Sequence, residues 1–300
     1  MHAADAPAET SAAGQAVAPS FHVRAYALAP RLLSAVFQGV IAADLLLASY
    51  LVFSFTFTGA ANPTPPVLAG WLVGLALVLY GLLQLTRWLS AATFSVEPSR
   101  FVLERRGDRF EIPVSSVESI RVWRLLLPGA GLSLRMKSGR TFQYSPQVAD
   151  PRPLLEAIAR ENPTLPVETR HPLAAFAHAR ATSFHRRWYF RVLELVLFPL
   201  VTGTIVFQLN QRITFGGPFA QYHMQGLGPY LRSFFTYWAA LTSALVLFAT
   251  PWRVLAELVS LVGAWISPPH ARGVRRFAEI AWLLLYFGGF AAIMAQFIDW

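Results

Sequence analysis

The chain has 300 residues, 55% of them hydrophobic and only 14% charged, with a formal net charge of +9 and a mean hydropathy of +0.44. Soluble domains carry about one quarter charged residues, so this composition argues against a soluble globular enzyme. The absence of cysteine excludes disulfides, thiolate metal sites, cysteine nucleophiles and covalent haem attachment.

Charge is unevenly spread: it is dense between Arg87 and Arg191 and sparse in the long stretches outside, as in a membrane protein with a folded insert. Lysine occurs once, at Lys137, and every other basic side chain is arginine. Together with abundant Ala, Leu, Gly and Pro, this suggests a GC-rich, bacterial coding sequence.

In chain order, Met1 to Ser20 is Ala-rich and lacks a basic segment followed by an apolar core, so it does not read as a signal peptide. Residues 1–30 are expected to form a disordered cytoplasmic tail. A helix crossing about 30 Å of hydrocarbon needs roughly 20 apolar residues. Leu32 to Phe55 and Val67 to Leu85 meet that requirement. The uncharged, breaker-rich link Thr58 to Pro66 makes residues 31–90 a transmembrane hairpin. Further spans are expected at Val192 to Leu209, Phe234 to Pro251 and Phe277 to Ile298, giving about five in all. Val254 to Ile266 is apolar but short, and reads as an interfacial or re-entrant helix after a break at Pro251, with a sixth span as the alternative.

Of the 25 Lys and Arg residues, 23 fall on one side of these spans; only Arg212 and Arg232 fall on the other. Basic residues are retained on the cytoplasmic side, so the expected topology is N-terminus inside and C-terminus outside, in a bacterial inner membrane. Their position next to spans explains the net charge by anionic headgroups and topology, and nucleic acid is not expected as a partner.

Within residues 91–165 the period changes to two. Leu132, Leu134 and Met136 alternate with Ser133, Arg135 and Lys137, and Arg140 to Tyr144 follows the turn Ser138-Gly139, as in a hairpin. Arg100 to Arg105 and Arg109 to Ile112 flank Arg106-Gly107-Asp108 as a second hairpin, and Phe94 to Glu97 and Val117 to Trp123 supply further strands. Asp150-Pro151 opens a helix to about Glu161 with an apolar stripe of Leu154, Leu155 and Ile158. Six or seven strands closed by one helix predict a small barrel or two packed sheets. Residues 166–190 read as a basic, aromatic connecting helix.

The order of strand, Gly-turn hairpin, Ile112-Pro113-Val114-Ser115-Ser116-Val117-Glu118-Ser119-Ile120, Gly-containing hairpin and Asp150-Pro151 helix resembles the bacterial pleckstrin-homology-like domains, over about residues 93–163. Such domains often follow a transmembrane hairpin. The resemblance implies a binding module for lipid or protein, in a membrane protein of complex assembly or envelope stress resistance, and no catalytic residue. The expected fold is thus a membrane α-helical bundle with an inserted β-rich domain of this kind, capped by its C-terminal helix.

Several side chains are singled out by their setting. Asp44 lies near the middle of the first span, six residues beyond Gln38, where a charge is costly unless paired, protonated or facing a cavity. It reads either as a proton or cation site or as a protonated carboxyl bonded to a neighbouring helix. Glu194, Glu257 and Glu279 each have an arginine three or four positions away (Arg191, Arg253, and Arg275 with Arg276), the spacing of local helical ion pairs. A transport pathway lined by them is the alternative. His171, His178 and His185 recur every seven residues, but successive members on a helix would be about 10 Å apart, too far for one metal ion.

Phe184 to Arg191 interleaves Arg186, Arg187 and Arg191 with Trp188, Tyr189 and other aromatics, as in an interfacial anchor. Arg121, Arg124, Arg135, Lys137 and Arg140 are expected on solvent-facing strand positions, within reach of anionic headgroups. The sequence holds no Walker-type loop, nucleophile elbow, His-Glu-x-x-His or carboxylate pair beside a histidine, so no cofactor or metal is expected and an enzyme is the least supported class. The expected role is binding, with the bilayer, a membrane-protein partner and anionic headgroups as partners; a small transporter using Asp44 is the alternative.

Overall fold

The computed structural model describes residues 19–58, 64–125, 127–168, 171–183 and 187–296. It begins with a strand, β1 (Ser20–Tyr26), where a disordered tail was expected. The cause is a short period-two run: Val23 and Ala25 are buried while His22 and Arg24 are exposed. Helices α1 (Leu28–Thr58) and α2 (Thr64–Leu89) follow directly. The chain then returns to β2 (Ala91–Val96), β3 (Arg100–Arg105), β4 (Asp108–Pro113), β5 (Val117–Val122), β6 (Leu132–Met136) and β7 (Ser145–Gln147).

Two antiparallel sheets result, a five-stranded one in the order β4-β3-β2-β1-β7 and the pair β5-β6. β1 lies beside β2 in the register Ser20 to Ser95 through Arg24 to Ala91. The β3–β4 hairpin turns on Arg106 and Gly107 at φ 47° and 93°, the left-handed pair that a two-residue primed turn requires. Its outer strand carries Arg109 and Glu111, 3.1 Å apart, and Arg100 reaches Glu111 at 2.7 Å; a charged edge resists pairing with other chains. The expected hairpin beyond Leu132 is closed by backbone bonds from Met136 to Arg140 and Phe142 to Leu134, but its second limb is no continuous strand and leads into β7 beside β1.

Helix α3 (Pro151–Glu161) starts as its sequence dictates, with Asp150 accepting from Arg152 N at 3.1 Å and Pro151 in the first turn. Its Leu154, Leu155 and Ile158 close a core built from Val23, Phe94, Phe101, Leu103, Ile120 and Leu134 of the sheets. Leu173 and Ala174 of α4 (Pro172–Ala181) join the same core.

The rest of the chain is helical. α5 (Trp188–Val192) passes through a π-helical turn, Leu193–Leu197, into α6 (Phe198–Phe215). A short α7 (Ala220–Gln225) packs against α6 and α8 and leads into α8 (Leu227–Ile266) and α9 (Ala271–Gln296). Among the described residues four helices are long and apolar enough to cross a membrane: Leu28–Phe55, Val67–Leu89, Trp188–Phe215 and Leu227–Ile266. The fifth expected span lies on α9, and its end at Phe297 and Ile298 falls outside the described residues.

The expected break at Pro251 is absent. α8 runs through it as one helix of 40 residues, so residues 254–266 are not a separate segment. A proline inside a helix cannot donate to the carbonyl four residues back, here that of Leu247. Ser49 of α1 stands in: its Oγ lies 2.8 Å from Leu247 O and 2.6 Å from Leu45 O, and its single proton serves both. Ala48 and Ala69 let α1 and α2 close on Leu247 at the same level.

Ser49→Ala should therefore cost about 1–2 kcal/mol, because it leaves a buried carbonyl unpaired. In the Pro251→Ala background the new amide supplies the donor, and the same substitution should cost distinctly less. Denaturant unfolding of the four proteins in detergent micelles measures the cycle, and strictly additive costs would refute this role for Ser49.

Candidate functional site

Two buried acidic side chains of the helical region, Glu194 and Glu279, and the half-buried Glu257 are held by contacts between helices. Pro199 has no amide to give the Leu195 carbonyl, and its ring crowds that oxygen. The turn just before it widens, with Phe198 N bonding Leu193 O. That wide turn carries Glu194, which is 2% exposed. Both its carboxylate oxygens accept from Arg253 Nη2, at 2.5 and 2.6 Å. The Arg253 guanidinium also stands 5.1 Å from the Trp282 ring centroid, and Trp282 stacks on Tyr286 at 5.4 Å.

One turn along α8 from Arg253, Glu257 faces Arg275 of α9, whose Nη1 and Nη2 meet the two carboxylate oxygens at 2.9 Å each. Of the two contacts the Nη2 one is a hydrogen bond, and the Nη1 one is an ion-pair approach alone. Arg275 Nε holds Glu279 Oε1 at 2.6 Å, and Ser183 Oγ donates to the same oxygen. Arg180 of α4 approaches Glu257 at 3.5 Å. Three carboxylates and three guanidiniums thus form a charge-balanced seam linking the π turn, α8, α9 and α4.

Among the described residues only one of the expected local pairs occurs, Glu279 with Arg275. Glu194 is held by Arg253 and not by Arg191, and Glu257 by Arg275 and not by Arg253. Tertiary packing wins because a guanidinium on the facing helix meets both carboxylate oxygens away from water, where a solvent-screened neighbour on the same helix contributes little.

Asp44 is half-buried on α1, and its Oδ2 has no hydrogen-bond partner among the described residues. Gln38 does not pair with it. Its Nε2 donates to Pro128 O, in the β5–β6 loop, at 3.0 Å. Gln147 Nε2 of β7 donates to that same carbonyl, also at 3.0 Å. The sequence offered no signal for this joint, since its members lie in three separate segments.

Arg121, Arg124, Lys137 and Arg140 are exposed, as expected of solvent-facing positions; Arg135 is half-buried with Nε 3.0 Å from Glu118. Arg121 and Arg124 border an open cleft with Glu168 and His171. In the aromatic and basic stretch, Trp188 and Tyr189 are exposed and Arg187 Nη1 donates to Tyr189 OH at 2.8 Å, so their rings face outward. Arg191 is exposed beside them. Arg186, Phe184 and His185 lie outside the described residues.

The two described members of the histidine repeat do separate work. His171 caps α4 by accepting from Leu173 N at 3.1 Å, and His178 Nδ1 bonds Asp150 Oδ2 at 2.8 Å. Among the described residues no group of three His, Asp or Glu could hold a metal ion. No protein-family model, curated protein or solved structure matches the chain, so a functional reading rests on its geometry.

Arg253→Met should be strongly destabilising, by about 3 kcal/mol or more, because it strands the buried Glu194 carboxylate. The double substitution Glu194→Leu with Arg253→Met should recover most of that loss, since a buried pair can be replaced by apolar side chains at little cost. Unfolding in micelles compares the three variants. A double variant as unstable as the single one would mean the pair does more than neutralise its own charges.

Proposed function

We propose that the chain is a non-catalytic integral membrane protein whose β domain, a pleckstrin-homology-like module, is a rigid platform for a protein partner or for anionic headgroups. Its role would be the assembly, stabilisation or regulation of a membrane complex. On this reading it is a multi-pass protein of a bacterial inner membrane, with the N-terminus and the β domain on the cytoplasmic side and the C-terminus outside.

The observation that carries the reading is the junction between sheet and helices. β1 ends at Tyr26 and α1 begins at Leu28; α2 ends at Leu89 and β2 begins at Ala91. Ala25 N donates to Ser90 O at 2.7 Å across the two junctions. A domain joined to two spans in this way cannot swing, and a fixed presentation of surface suits a docking platform. The seam supports the same reading, because each of its carboxylates already has a guanidinium partner. The exposed Arg121, Arg124 and Arg140 of the β domain supply charge for an acidic surface.

Gentle purification of the tagged full chain from its own membrane tests the proposal, beside a variant carrying Arg121→Glu, Arg124→Glu and Arg140→Glu. A stoichiometric protein or an enrichment of anionic lipid should accompany the intact chain and be lost from the variant. If neither accompanies the intact chain, the platform reading is wrong.

The Oδ2 of Asp44, without a partner among the described residues, favours a second reading, a small transporter with a proton or cation site in the first span. Asp44→Asn separates the two. A platform keeps its partner in that variant, whereas a transporter loses ion flux in proteoliposomes while its amount in the membrane stays the same.

A further inference from the structure

The β5–β6 loop is anchored on its inner side and apolar on its outer side. Trp123, 3% exposed, lies under the Arg31 guanidinium, which sits 3.7 Å from the ring centroid. Gly131 is forced by this packing, since a Cβ there would fall 2.7 Å from the Trp123 ring. Gly129 has φ +153°, and a Cβ on it would collide with Gln147 Nε2. The double acceptance at Pro128 O then pins the far end of the loop to α1 through Gln38 and to β7 through Gln147. With the backbone held in this way, Leu125 and Leu127 point outward, 66% and 44% exposed.

The contacts along α1 give the loop a depth. Trp123 is level with Arg31, and Pro128 is level with Gln38, seven residues further on, or about 10 Å along the helix axis. Ser34 Oγ and Thr86 Oγ1, 3.2 Å apart, put the start of this stretch level with the end of α2. There Trp88 is 67% exposed, with the Arg106 guanidinium 4.5 Å from its ring, the amphipathic pairing expected at a headgroup boundary. Gln38 lies beyond that boundary, inside the apolar stretch Leu28–Phe55.

We propose that the β5–β6 loop is a membrane wedge, with Leu125 and Leu127 inserted beside α1 into the acyl region of the leaflet next to the β domain. Its occupant is lipid hydrocarbon. Side chains flanking a joint about 10 Å inside a span face acyl chains, and two exposed leucines on an anchored loop match the roughly 5–10 Å immersion typical of interfacial segments. The wedge rests on reading α1 as a span, and it goes beyond the platform role by giving the β domain its own hold on the bilayer.

Because the chain has no cysteine, single cysteines can be labelled without background. The full chain would be reconstituted in phosphatidylcholine–phosphatidylglycerol vesicles with an environment-sensitive NBD label at Leu127→Cys. Leu125→Cys would be run as a second loop position, Val36→Cys as the position within the span and Lys137→Cys as the one in water. The loop labels should emit to the blue of Lys137→Cys, resist iodide several-fold better and be quenched by nitroxides near the headgroup end of the acyl chain.

If both loop labels behave like Lys137→Cys while Val36→Cys reports lipid, the wedge is wrong and the loop is left for a protein partner. If Val36→Cys also reports water, the span itself has been misread and the wedge falls with it. Normal lipid signals at all three positions in a chain that copurifies with nothing would keep the wedge and remove the platform.

Discussion

The structure depends on one constraint: a helical hairpin is inserted between two neighbouring strands of a sheet. β1 and β2 hold each other in an antiparallel ladder, and each runs within one residue into a membrane-length helix. Side chains alternate along a strand, so a one-residue slip of that ladder would turn Val23, Ala25, Phe94 and Val96 out of the core. The core therefore fixes the register, the register fixes where α1 and α2 start, and the hairpin inherits its direction from the sheet. Its own packing, through Ala48, Ala69 and the Ser34–Thr86 contact, has only to agree with that start.

A second attachment runs through α4. Its Leu173 and Ala174 belong to the core of the β domain, while Ala175, Phe176 and Ala179 pack on Leu261 and Ala264 of α8 and on Ala271. The ionic seam crosses the same contact by way of Arg180 and Ser183. Buried ion pairs contribute little net stability, because desolvation offsets much of their attraction. Their directional bonds do select one arrangement: sliding α8 against α9 by one turn would part Arg275 from Glu257. Apolar contacts supply the adhesion here and the charges supply the alignment. Asp44 differs in kind, since among the described residues nothing on the facing helices answers its free oxygen.

What was legible in the sequence was local. The four apolar runs, the Arg106-Gly107 turn, the Asp150 cap and the Leu154, Leu155 and Ile158 stripe each depend on residues within a few positions of one another. β1 escaped because its alternating run is short, adjoins an Ala-rich segment and pairs with residues about seventy positions away. The partners of Glu194 and Glu257 escaped for a related reason. Spacing of three or four presents an arginine on the same helix for each, and the partner chosen depends on which helix lies opposite. Gln38 was legible as a polar residue in a span, but its acceptor is a backbone carbonyl, which no residue pattern can mark.

The length of α8 shows how these levels combine. Its 40 residues make a helix of about 60 Å, roughly twice the hydrocarbon thickness of a bilayer, so it cannot stand upright with both ends in lipid. Beyond Pro251 one face, with Leu261 and Ala264, is covered by α4. The other, with Leu255, Leu258, Val262 and Trp265, stays exposed and apolar, continuing the outward surface of the first part of the helix. On the proposed membrane reading such a helix tilts or runs along the boundary, and tilt is set by packing against neighbours more than by length. The neighbours here are α4 and α9, locked by the seam, with Gly263 admitting Val274 so closely that a Cβ would lie 2.6 Å away. The contact that seats the β domain on the bundle is thus also the one that orients the second half of α8, and the domain and the exposed apolar face of that helix cannot be repositioned independently.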